Sequence, residues 1–182
     1  MTYRTNWKVA IDIGHARGTG SSGNGLQEHE VCTRIAAELL HELGAAGIIA
    51  DVVDFPGLSN GADLVKTAEA INSGGFDMSV SLHCDAASNS SAKGAHVIYT
   101  SAKGKTIAEQ IAKHICPLMP GRANKTVKRG NLYILNNTRC PAVLVECGFV
   151  TNREDADMLK NGTGAIARAI SEGVRDALPL IR

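Results

Sequence analysis

The chain has 182 residues, 44% apolar and 20% charged, with a net charge of +1. That is length enough for one substantial core, and the charge balance leaves no electrostatic footprint for nucleic acid. Aromatic residues are only 4% of the chain, which argues against a platform for stacking single-stranded bases.

Lys8 to Ile13 reads as a short strand rich in β-branched residues. It is followed by a loop with five glycines between Gly14 and Gly25. Residues 27–43 place Val31, Ile35, Leu39, Leu40 and Leu43 at helical spacing, with Asn24 as a candidate cap and Gly44 and Gly47 as stops. GIIADVVDF is a second strand. Residues 62–72 predict a helix with Leu64, Val65, Ala68 and Ile71 on one face. FDMSVSLHC is a third strand and AHVIYTS a fourth, separated by a polar loop. Residues 103–116 form a further helix, and PLMPGRANKTVKRG an irregular connection. NLYIL reads as a short strand and PAVLVECGF as a final buried one. TNREDADML opens a short helix capped by Thr151 or Asn152, and the last helix runs from about Thr163 to Leu178. This order predicts one α/β domain over residues 1–182. Its architecture is a three-layer sandwich with a mixed, mostly parallel sheet of about six strands and helices on both faces.

Five cysteines are scattered without a CxxC pair, the pattern of reduced buried thiols rather than a disulfide framework. No run reaches the roughly 20 apolar residues of a membrane helix, and MTYRTNWKVAIDIGH has no apolar signal core. The expectation is a protein that is cytoplasmic as synthesised, with no membrane insertion. GTGSSG fits a dinucleotide fingerprint on paper, but His15 and Arg17 stand between the strand and its glycines, and the helix begins only after Gly25.

Three strand-like runs end on residues able to bind a metal or move a proton: His15, His83 and Glu146. Strand ends are where sites are built in α/β sheets. Two histidines and a glutamate make a catalytic zinc set, with a second glutamate left for proton transfer. Each has a bland reading beside this one. The histidines can be hydrogen-bonded loop residues, and Glu28 a first-turn helix glutamate, a place Glu30 fits equally well. Glu146, inside VLVECGF, can be half of a buried ion pair with Arg129 or Arg139. Cys84 and Cys147 flank the site, but neighbours on a strand point to opposite faces. His29, His41, His96 and His114 read as surface or cap residues.

IDIGH, GLQE, SVSLHCD, YIL and VLVECGFVTN, in this order, resemble the zinc-dependent N-acetylmuramoyl-L-alanine amidases of type 3, cell-wall hydrolases of autolysins and phage endolysins. The resemblance runs from about Val9 to Leu178. It implies one Zn2+ per chain on His15, Glu28 and His83, a fourth position for water, and Glu146 as catalytic base and acid. It implies peptidoglycan as the partner, cut between N-acetylmuramic acid and L-alanine, with action on the wall after release or lysis. Arg129, Asn131 and Asp85 are candidate substrate contacts. The alternatives are a zinc peptidase acting within the stem peptide and a non-catalytic wall-binding relative. The chain departs from the family pattern in having GHAR for GHGG, Asp85 for an asparagine, and no arginine near Thr67.

Overall fold

The structure, a computed structural model, describes residues 6–181. In chain order the elements are β1 (Lys8–Ile13), the two-residue arms β2 (Ser22–Gly23) and β3 (Leu26–Gln27), α1 (Glu28–Ala45), β4 (Ile49–Val53) and α2 (Asn60–Ser73). Then come β5 (Met78–Asp85), β6 (His96–Tyr99), α3 (Ala102–Leu118), β7 (Thr126–Lys128), α4 (Tyr133–Asn137), β8 (Ala142–Phe149), α5 (Arg153–Asn161) and α6 (Thr163–Ala177).

Six strands share one sheet in the order β4-β1-β5-β8-β6-β7. The first four are mutually parallel; β6 lies antiparallel to β8 and carries β7 parallel to itself. Central parallel strands are covered on both faces, which is why β1, β5 and β8 read as continuous apolar runs rather than alternating ones.

The alternation decides which core each side chain enters. Val9, Ile11, Val80, Leu82, Val145 and Cys147 pack on one face against α1, α3 and α6. Ala10, Ile98 and Leu144 face the other way, against Ala68 and Ile71 of α2 and Ile134 and Leu135 of α4. The same alternation turns Asp12, Ser81, His83 and Glu146 toward this second face, which α2 and α4 cover.

Three sequence expectations change. NLYIL is not a strand: Tyr133–Asn137 is one turn of helix, and the sixth strand is Thr126–Lys128. The edge beside β6 is taken by Thr126 and Val127, and Ile134 and Leu135 bury side by side against α2, a spacing that a short apolar run does not reveal. Leu40 and Val65 fall outside their buried stripes and are exposed. Asn24 does not cap α1; Gln27 does, accepting from the His29 backbone N–H. Asn152 caps α5 as expected, accepting from the Asp155 N–H.

Helices α3 and α6 cross where α6 has no side chain. A Cβ on Gly173 would stand 2.4 Å from the Ile111 Cα. Gly173→Ala therefore forces the helices apart, and overpacking of this kind costs about 1–3 kcal/mol. In a chain of this length each kcal/mol lowers Tm by about 2–4 °C, which a calorimetric scan against wild type measures.

Candidate metal centre

The loop after β1 is a returning hairpin. Asn24 and Gly25 both adopt left-handed conformations, φ 49° and 74°, as a two-residue type I′ turn requires. The Asn24 side chain donates to the Val150 carbonyl at 2.8 Å. The hairpin arms β2 and β3 bring the chain back so that α1 starts at Glu28, beside His15.

Glu28 is 1% exposed. Its Oε1 accepts from the Cys84 N–H at 2.9 Å and lies 3.0 Å from His83 Nδ1. Its Oε2 accepts from the Ser21 N–H at 2.6 Å and lies 3.6 Å from His15 Nε2. Burial pushes the Glu28 carboxyl up, but the His83 hydrogen bond and charge and the two backbone donors outweigh it and hold it down at about 2. Burial lowers His83 too, yet Glu28, Glu146 and Asp12 carry it above its ordinary value; His15 stays lowered, mainly by burial. Glu30 is exposed on the opposite side of the helix.

His15 itself is left-handed, φ 64°, an uncommon conformation for a residue with a Cβ and one that gathers at functional sites. The backbone closes around these side chains to the limit glycine allows. A Cβ on Gly14 would stand 2.2 Å from the His83 ring, and one on Gly20 2.7 Å from Glu28 Oε2 and 2.9 Å from His15 Cδ2. The ligand atoms of His15, Glu28 and His83 lie within 4.8 Å of one another. Two imidazoles and a carboxylate in that space are a donor set suited to zinc.

Glu146 is opposite His83 in the β5–β8 register and opposite His96 in the β6–β8 register. Just beyond it the ladder slips by one residue, and Gly148 takes φ 147°. Such a bulge re-aims side chains at a strand end. Glu146 Oε2 is buried without a hydrogen-bond partner, and burial pushes its carboxyl up to about 7. Among the described residues it forms no ion pair with Arg129 or Arg139.

Asp85 lies beyond Glu146, paired with Arg122, whose guanidinium sits 4.4 Å over the Phe149 ring. Asp85, His96 and Glu146 form a second close group, their ligand atoms again within 4.8 Å. His96 is 2% exposed and not a surface residue as its sequence suggested; burial, then Arg122 and Arg129, lower it to about 4. His29 is also buried, its Nε2 3.3 Å from Asp54. Arg129 and Asn131 are exposed in the loop between β7 and α4. His96 and Arg122 were missed because only strand pairing brings His96 to Glu146, and Arg122 lies in a connection without periodicity. Cys84 and Cys147 point into the α1 side, with Cys84 Sγ 4.0 Å from Cys32 Sγ, and all five thiols are free. A cavity of about 310 Å³ opens between α2 and α4 beside His15 and His83.

A family model described as N-acetylmuramoyl-L-alanine amidase matches residues 9–176. The chain is 33% identical to the N-acetylmuramoyl-L-alanine amidase LytC of Bacillus subtilis over 91% of its length, but spans 34% of that protein. It is 30% identical to the amidase CwlM of Bacillus licheniformis, spanning 69% of that one. Among solved structures, the catalytic domain of the CD27L endolysin targeting Clostridia difficile superposes with a TM-score of 0.85 at 30% identity, covering 93% of this chain and 97% of that one.

Removing the Glu28 carboxylate strands two backbone donors and the His83 ring. An unsatisfied buried donor costs about 1–3 kcal/mol. Glu28→Ala should therefore lower the denaturant midpoint even with chelator present, and more than Glu30→Ala does in the same titration.

Proposed function

The chain belongs to the N-acetylmuramoyl-L-alanine amidase family, and from that we propose that it is a zinc-dependent peptidoglycan hydrolase. The bond it cuts is the amide between the lactyl group of N-acetylmuramic acid and L-alanine of the stem peptide. The observation that carries this reading is the meeting of His15, Glu28 and His83 beside Glu146, a half-buried glutamate whose Oε2 is buried without a hydrogen-bond partner.

His15, Glu28 and His83 would hold the metal. Bound there, zinc would supply Lewis acidity and the means to make water nucleophilic near neutral pH. Glu28 is kept ionised by the Ser21 and Cys84 N–H groups, so it is ready as a ligand without first losing a proton. Gly14 and Gly20 keep the His83 and His15 rings seated against it. Glu146 takes the proton of the attacking water and returns it to the amide nitrogen as the C–N bond breaks. A carboxyl held near 7 by burial is suited to both transfers at neutral pH. Asp85, paired with Arg122, contacts the substrate together with Arg129 and Asn131. The workplace of the enzyme is the cell wall, reached after release or lysis; no helix among the described residues is long and apolar enough to cross a membrane.

The metal reading predicts one zinc per chain by elemental analysis. His15→Ala and His83→Ala should each abolish it, while His41→Ala, on the exposed side of α1, should retain it. Less than about a tenth of an equivalent in zinc-supplemented wild type defeats the reading.

Glu146→Gln preserves shape but cannot shuttle the proton. It should bind zinc normally, melt near wild type and turn over about 10²- to 10⁴-fold more slowly. Mass spectrometry of digested peptidoglycan identifies the bond: free L-alanine amines with intact lactyl acids mark the amidase, whereas cuts within the stem peptide mark a peptidase.

A further inference from the structure

Behind Glu146 lies a histidine whose ring has an unused nitrogen. His96 is 2% exposed, and its buried Nε2 makes no hydrogen bond among the described residues. A buried polar atom without a partner is uncommon in a folded chain and requires an explanation.

The ring faces a defined set of groups. His83, Glu146 and His96 stand level on three neighbouring strands, β5, β8 and β6, so Glu146 lies between the two imidazoles. His96 Nε2 is 3.7 Å from Asp85 Oδ2, too far for a hydrogen bond. Glu146 Oε2 is likewise buried without a partner. The ligand atoms of Asp85, His96 and Glu146 lie within 4.8 Å of one another, as those of His15, Glu28 and His83 do.

Charge decides what kind of occupant fits. Asp85 and Glu146 bring two carboxylates, and Arg122 returns one positive charge through its pairing with Asp85. The balance is a single negative charge when both carboxyls are ionised, the same as that of Glu28 with its two histidines. Two carboxylates repel an anion and attract a cation. Burial, then Arg122 and Arg129, lower His96 to about 4, so the ring is neutral and can offer a lone pair. Magnesium and calcium favour sets made of oxygen alone, whereas zinc takes imidazole and carboxylate together.

Resting on the reading of Glu146 as the base, we propose that Asp85, His96 and Glu146 form a second, weaker zinc site through which excess zinc shuts the enzyme off. Arg122 competes for Asp85, so this site fills only while free zinc is present. A Glu146 carboxylate engaged as a ligand cannot take the proton of the attacking water. The chain is then active with one site filled and silent with both.

Calorimetry reads the second site directly. Zinc titrated into protein that already holds one equivalent should show a second, weaker binding event, and magnesium should show none. His96→Gln should weaken that event by about ten-fold or more, a scale that loss of a supporting group around a metal already reaches, and leave the first equivalent in place. Arg122→Gln, which frees Asp85, should tighten it. His15→Ala, which lacks the first site, should still bind at the second. On cell walls, wild-type activity should fall as the second site fills, while His96→Gln stays active at the same free zinc. Absence of a second event in the wild type, equal uptake of magnesium, or a second event that neither His96→Gln nor Arg122→Gln moves overturns the assignment. If zinc binds as described but lysis continues, the site stands and Glu146 is not the base.

Discussion

A single buried carboxylate ties this site to its fold. Glu28 opens α1, yet it is held by the loop after β1 through the Ser21 N–H, by β5 through the Cys84 N–H, and by the His83 ring. Three separate elements are therefore fixed relative to one another through one side chain. A carboxylate so buried is unfavourable unless it is saturated with donors, and here both oxygens are engaged. The helix N-terminus adds its partial positive charge to the same point. The glycine hairpin follows from that requirement: between Ile13 and Glu28 the chain must leave β1, present His15 and return to the start of a helix.

The glycines of the loop act by what they keep away. At Gly14 and Gly20 the space a methyl group would need is filled by the His83 ring and by Glu28 and His15. Asn24-Gly25 makes the turn possible. In the stretch that resembles a phosphate-binding fingerprint on paper, only Gly20 makes room for His15 and Glu28; Gly23 lies against the Val150 backbone and Gly18 faces open space.

Much of the architecture was legible because parallel strands buried on both faces leave uninterrupted apolar runs, and because α1, α3 and α6 carry a regular stripe. His15, His83 and Glu146 could be read from their positions at the ends of such runs, and Glu28 from its place at the helix start. What was not legible depends on pairing. NLYIL has the composition of a strand, but the edge of the sheet goes to Thr126–Lys128. His96 looks ordinary until β6 is laid antiparallel to β8 and it faces Glu146. Arg122 lies in a segment without period and finds Asp85 only through the fold. Leu40 and Val65 fit a helical stripe by number yet stand outside the contact, since a stripe is wider on paper than the surface it meets.

The position of β8 has a consequence for the order in which the protein can be assembled. In sequence β5 is followed by β6, but in the sheet β8 lies between them. A chain growing from its N-terminus exposes both edges of that slot long before residues 142–149 exist to fill it. Until they do, β1, β4 and β5 form one patch of sheet and β6 with β7 another, with nothing to join them. Glu146 enters on the strand that closes the gap, so no product of synthesis that ends before β8 has it opposite His83. Completion of the sheet and completion of the candidate site are the same event, and a chain that ends before β8 lacks both.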